Sequence, residues 1–197
     1  MINGGILVFT APFVAYVAVV VARRRKAGLG VLLAYLALGG WVLAAVGVTL
    51  FPLPYQRELI ESERASQLLG NNLVPFATIG AAIHEGLHGP QLRVLVANVL
   101  MFIPFGFFVA LLPTRPPSML RVLGAALIAS CAIELSQWVI SAGLGYTYRT
   151  TDVDDVILNT MGGALGFVAF RVAGSSVAAV LGRDQGGQAR VGRPRPD

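Results

Sequence analysis

At 197 residues the chain is long enough for one domain, and a composition of 55% hydrophobic against 13% charged residues excludes an ordinary water-soluble globule. The net charge of +5 would suit nucleic acid, but no basic patch interleaved with aromatics accompanies it, so the placement of the charges matters more than their sum. The single cysteine, Cys131, lies in an apolar run and is expected to be a small buried hydrophobe, with no disulfide framework.

The first apolar segment covers residues 6–22 and is followed by Arg23, Arg24, Arg25 and Lys26. A signal peptide carries its charge ahead of the apolar run, so this segment reads as a retained transmembrane helix. A second span at 29–50 has the length needed to cross a hydrocarbon core and ends at Phe51-Pro52-Leu53-Pro54-Tyr55. Between Tyr55 and Arg93, the residues Glu58, Glu61, Glu63 and Arg64 mark a short surface helix. Asn72-Leu73-Val74-Pro75-Phe76 is too short to span and reads as a re-entrant or interfacial loop.

The third span, 94–112, carries Asn98 near its start and Pro104 and Gly106 in its middle, where a kink is expected. Pro113-Thr114-Arg115-Pro116-Pro117 breaks the chain before a fourth span at 119–140, which holds Glu134 and Gln137 on one helical face. A fifth span, 153–173, sets Asp155, Asn159, Gly162 and Gly166 at helical spacing, a polar and then small-residue stripe suited to close helix contact. The fold class expected is therefore all-α, a five-helix transmembrane bundle formed by residues 1–181, with residues 182–197 as a disordered cytoplasmic tail rich in Gly, Arg, Gln and Pro.

With the Arg23 to Lys26 loop in the cytoplasm, five alternating spans put the N-terminus outside and the C-terminus inside. The inner side then holds 11 basic and 2 acidic residues, and the outer side 4 basic and 8 acidic. The basic excess reads as a topology signal and as attraction to anionic membrane lipids, not to nucleic acid. In this orientation the Asn72 loop, Asn98, Glu134, Gln137, Arg149, Asp152, Asp154, Asp155 and Asn159 converge on the outer face. Acids and amides beside hydrocarbon are costly unless satisfied, so the cluster calls for a reason.

Four blocks carry a family resemblance: Asn72-Leu73-Val74-Pro75-Phe76, Asn98 through Phe102, Pro104 and Gly106, Glu134-Leu135-Ser136-Gln137, and Arg149 through Asp152, Asp154, Asp155, Asn159, Gly162 and Gly163. In this order they resemble the VanZ-like family of bacterial integral membrane proteins, over about half the chain. The resemblance implies a place in the cell membrane and an association with envelope chemistry. The family is named for a protein that lowers susceptibility to teicoplanin, a lipoglycopeptide that binds cell-wall precursors outside the membrane.

Several roles for the cluster stand side by side. Glu134 with Gln137 suits a polar headgroup or a proton relay; the same carboxyl packed against Arg149 or an Asn suits helix positioning, with Arg149 the natural partner. Asp152, Asp154 and Asp155 open the fifth span, where carboxylates cap free N–H groups and meet the positive end of the helix dipole. Their number also suits ligand binding or a hard cation, and with no histidine or cysteine beside them zinc is unsuited. Asn72 and Asn98 serve either as architecture or as pocket lining. His84-Glu85-Gly86-Leu87-His88 matches a zinc-binding H-E-x-x-H pattern, but Gly86 weakens the helix it requires and Gly89-Pro90 ends it, leaving a solvated loop helix as the ordinary reading.

Two functions follow as expectations. In one, the outer pocket binds a lipid-linked cell-wall precursor or a lipoglycopeptide, with Arg149 on phosphate or carboxylate and Asn72, Asn98, Gln137, Asp152, Asp154 and Asn159 lining the site. In the other, a membrane enzyme acts on a lipid-linked substrate with Glu134 or Asp155 as general acid or base. No cofactor or resident metal is implied, and a purely structural cluster is the third alternative.

Overall fold

In a computed structural model, the structure describes residues 15, 29–54, 57–66, 70–86, 89–112 and 118–191, with side chains as far as Ala173 except at 59, 63–66 and 90. The expected first span at 6–22 (Ala15 apart), the basic run 23–26, the break at 113–117 and residues 192–197 lie outside the described residues.

Within the described residues six helices follow one another: α1 Leu29–Leu50, α2 Arg57–Ser66, α3 Ala77–Glu85, α4 Pro90–Leu111, α5 Met119–Leu144 and α6 Val153–Val191. No β-strand occurs among the described residues, so the chain is all-α there. Four stretches among them are long and apolar enough to cross a membrane: Leu29–Leu50, Gln91–Leu111, Met119–Leu144 and Val153–Ala173. Large apolar side chains point outward along all four, among them Leu33, Leu100, Ile128 and Val172. Such surface belongs in lipid, where it costs nothing to expose.

The boundaries shift for local reasons. Gly89-Pro90 does not end a helix but begins α4, with Gly89 at the N-cap and proline in the first turn, where its missing N–H is no loss. α4 then runs through Pro104 as one helix. α5 extends four residues past the expected Ile140, through Gly143, and stops only at Gly145, which takes the left-handed region at φ 74°. α6 continues as helix to Val191, where the sequence suggests disorder from Gly182. The surface helix expected around Glu58 is α2, with an Arg57 to Glu61 ion pair at 2.9 Å one turn apart.

α6 is the centre of the bundle, packed on one side by α4 and on the other by α5. The α4 contact depends on missing side chains. A Cβ on Gly162 would strike the Val99 carbonyl, one on Gly166 the Ile103 carbonyl, and one on Gly106 the Gly163 carbonyl. On the α5 side a Cβ on Gly163 would come within 2.7 Å of the Ala126 methyl group. The glycines at these positions thus bring backbones together, as the small-residue stripe suggests. α1 closes the bundle through Trp41, whose indole lies 4.7 Å from the Phe105 ring and 5.2 Å from Phe102, and whose Nε1 donates to the Met101 carbonyl at 2.6 Å.

Cys131 is exposed on α5 instead of buried in protein. On a membrane helix, an apolar run can face lipid as readily as a core.

Candidate functional site

The end of α1, the start of α4, the end of α5 and the start of α6 share one end of the bundle, and most of the polar residues gather there. The local sequence explains how the parts are held. Asn72 and Asp152 form a parallel bridge: the Asn72 N–H donates to the Thr151 carbonyl at 2.9 Å, and the Val153 N–H donates to the Asn72 carbonyl at 3.0 Å. The loop before α3 is thereby sewn to the loop before α6.

Asp152 is the N-cap of α6, its Oδ1 accepting from the Asp154 N–H at 2.8 Å. The same oxygen accepts from Asn72 Nδ2 at 2.9 Å, and Oδ2 accepts from the Thr78 hydroxyl at 2.5 Å. Asp154 is wholly buried and faces α3. Its two oxygens accept from the Phe76 N–H at 2.5 Å and the Ile79 N–H at 3.0 Å, capping a helix to which it does not belong. Phe76, the N-cap of α3, has φ 66° and no side-chain cap hydrogen bond of its own, so the carboxylate from α6 supplies what the local sequence lacks.

Glu134 reaches from α5 to the same junction, its Oε2 accepting from the Asp152 N–H at 2.9 Å. The expected pairing of Glu134 with Arg149 gives way to another arrangement. Arg149 donates through Nη2 to the Phe51 carbonyl at 2.8 Å and lies 5.6 Å from the Tyr148 ring centre. Helix α5 carries Glu134 inward, while Ser141, two turns later, binds the backbone of Tyr148 and Arg149 and turns that loop toward α1.

An open cleft of about 930 Å³ lies beside this junction. Its wall comes from Val48, Thr49 and Pro52 at the end of α1 and just beyond, Gln91, Arg93, Val94, Ala97 and Asn98 of α4, Gln137 of α5, Thr78, Tyr148, Arg149, Thr150, Asp152 and Asp155. Asn98 Nδ2 donates to Asp155 Oδ1 at 2.5 Å. Gln137 is 9% exposed; its Nε2 donates to the Thr49 carbonyl at 3.2 Å, and its Oε1 is buried with no hydrogen-bond partner among the described residues. The Gln91 Oε1 is likewise buried and unpartnered.

Of the residues singled out by sequence, Asn98, Gln137, Arg149, Asp152 and Asp155 therefore line one cleft. Asn72, Asp154 and Glu134 brace it from behind. Asn159 lies elsewhere, deeper between α5 and α6, where its Nδ2 donates to Ser130 Oγ at 2.9 Å. Sequence reasoning missed Arg93, Gln91 and Ser141. The proline that begins α4 was the available signal for the first two, since it places them in an opening helical turn.

The H-E-x-x-H pattern does not fall on one helix. α3 ends at Glu85 and Gly86 follows with φ 88°, so the one-turn spacing that would bring two histidines to one ion is broken; His84 is exposed and His88 lies outside the described residues. Among the described residues no group of three or more His, Cys, Asp or Glu side chains is placed to hold a metal ion.

The sequence profile of the VanZ/LLP1 family matches residues 32–174. The chain belongs to that family. Protein VanZ of Enterococcus faecium is 28% identical over 126 residues, which cover 64% of this chain and 66% of that protein, just under two thirds of its length. No solved structure matches the chain. The family match takes in the four apolar spans of the described bundle, apart from the opening residues Leu29 to Val31, and every residue of the cleft wall.

Proposed function

We propose that this VanZ-family membrane protein binds an amphiphile, a lipid-linked cell-wall precursor or a lipoglycopeptide, in the cleft between α1 and α4, and thereby influences susceptibility to teicoplanin. The observation that carries this reading is the make-up of the cleft. Arginine, amide and carboxylate groups form its wall, while Val48 and Val94 of the same wall are largely exposed on helices suited to lipid. A molecule with a polar head and an apolar tail matches both halves.

The orientation belongs to the same proposal. With residues 6–22 as a further span, the N-terminus lies outside, the C-terminus lies in the cytoplasm, and the cleft opens on the outer face with the Leu73 to Phe76 loop at the interface. Leu73, Val74 and Phe76 are 74%, 64% and 63% exposed, which supports an interfacial place for this loop. A cysteine replacing Arg93 in a Cys131→Ser background should react with a membrane-impermeant maleimide on intact cells. Labelling only after the cells are opened would reverse the orientation.

A catalytic reading has one observation in its favour: Asp155 lines the cleft with Oδ2 unpartnered among the described residues. It would be the acid or base, with Glu134 in a positioning role. The test of binding is teicoplanin susceptibility in a deletion strain expressing wild type, Arg149→Ala, Asp155→Asn or Glu134→Gln, with membrane abundance measured in each. Wild type should raise resistance, Arg149→Ala and Asp155→Asn should lose it at normal abundance, and Glu134→Gln should keep it because an amide oxygen still accepts from the Asp152 N–H. If wild type equals the empty strain, the teicoplanin association does not extend to this chain.

A further inference from the structure

The cleft wall specifies more than an amphiphile. Arg93 and Arg149 both line it; Arg93 has no hydrogen bond or ion pair among the described residues, and Arg149 spends one N–H on the Phe51 carbonyl. Two guanidinium groups at one site select an anion, and phosphate is one of the groups their fork of donors fits. The remaining polar atoms have the opposite preference. Among the described residues, the Oε1 atoms of Gln91 and Gln137 are buried acceptors without donors, and the Asp155 carboxylate has one oxygen unpartnered.

Gln137 cannot exchange its amide ends to escape this, because its Nε2 is fixed on the Thr49 carbonyl at 3.2 Å. A buried acceptor left without a donor is costly, so these oxygens call for a group that brings hydroxyl or amide hydrogens. A bare phosphate would satisfy the arginines, leave both glutamine oxygens unmet and repel Asp155. A neutral polyol would do the reverse.

Resting on the amphiphile reading above, we propose that the cleft recognises a hydroxylated phosphate headgroup, with phosphate at Arg93 and Arg149 and hydroxyl groups donating to Gln91, Gln137 and Asp155. The required chemistry is phosphate and hydroxyl within one ligand. A lipid headgroup and a soluble polyol phosphate both have it, and the apolar Val94 at the wall favours the lipid.

The full chain in neutral detergent, titrated by native mass spectrometry, separates these cases. The probes are short-chain phosphatidylglycerol, phosphatidic acid with the same tails, a monoglycosyl diacylglycerol, glycerol phosphate and teicoplanin. Phosphatidylglycerol should bind about tenfold more tightly than either phosphatidic acid or the neutral glycolipid, the cost of one lost set of contacts. Arg93→Gln should bring phosphatidylglycerol down to the glycolipid, and Gln137→Leu should bring it down to phosphatidic acid. Gln91→Leu makes the same test if Gln137→Leu does not fold.

Equal binding of phosphatidylglycerol and phosphatidic acid to wild type would overturn the proposal, as would a preference that survives both glutamine variants. Glycerol phosphate binding as tightly as phosphatidylglycerol would uphold the headgroup and sink the amphiphile reading. Binding of teicoplanin with no preference among the phospholipids would do the opposite.

Discussion

The first turn of α6 and its middle hold the same helix in opposite ways. At the start, Asp152 and Asp154 reach out and take hydrogen bonds from two other segments, capping both α6 itself and α3. Further along, Gly162 and Gly166 have nothing to reach with, and the α4 backbone comes directly against them. The polar end fixes loops at a distance and leaves room for a cleft; the glycine segment leaves no room at all. Within hydrocarbon there is no hydrophobic drive to join helices, so close packing and internal hydrogen bonds carry the work, and this helix uses one in each half.

Filling the packed half should do the most damage. Gly166→Val puts side-chain atoms into the α4 backbone, which cannot rotate away as a side chain would, and should destabilise the bundle by more than about 3 kcal/mol. Loss of folded protein from membranes, against a lipid-facing control such as Ile128→Val, is the readout. Normal abundance and melting temperature would show that α4 and α6 are not in close contact.

At the polar end the effect should be smaller and local. Asp154→Ala strands the Phe76 and Ile79 N–H groups, a loss of about 2–4 kcal/mol, read as faster hydrogen exchange at those two amides with the α4 amides unchanged. Exchange that rises uniformly would mean the loop and bundle unfold together. Glu134→Leu should cost about 1–3 kcal/mol by orphaning the Asp152 N–H, while Glu134→Gln should be nearly neutral in the same thermal melt. Equal losses from both would give the charge of Glu134 a structural role that the single hydrogen bond does not account for. Smallest is Trp41→Phe, which removes one hydrogen bond and keeps a ring beside Phe105, for about 1 kcal/mol in a detergent melting experiment.

The sequence made the bundle legible because hydrocarbon imposes length and apolarity on every span, and the four described spans begin and end close to where hydropathy puts them. It made the glycine stripe legible too, since helical spacing sets Gly162 and Gly166 on one face. The site was legible only as a list. Nothing in the spacing of Asp152, Asp154 and Asp155 says that the first caps its own helix, the second caps another, and the third faces a cleft. Nor does the sequence disclose that Arg149 turns to the Phe51 carbonyl and away from Glu134, because that depends on where Gly145 ends α5 and how Ser141 folds back the loop after it.

By itself, then, the sequence determined the class of the protein, its family and the helices long and apolar enough to cross a membrane, since those follow from composition, periodicity and local motifs. Only the tertiary structure decided which polar side chains hold the fold and which are left to meet a ligand. A carboxylate acquires its role from the donors around it, and here those donors come from segments up to 80 residues apart, brought together by packing.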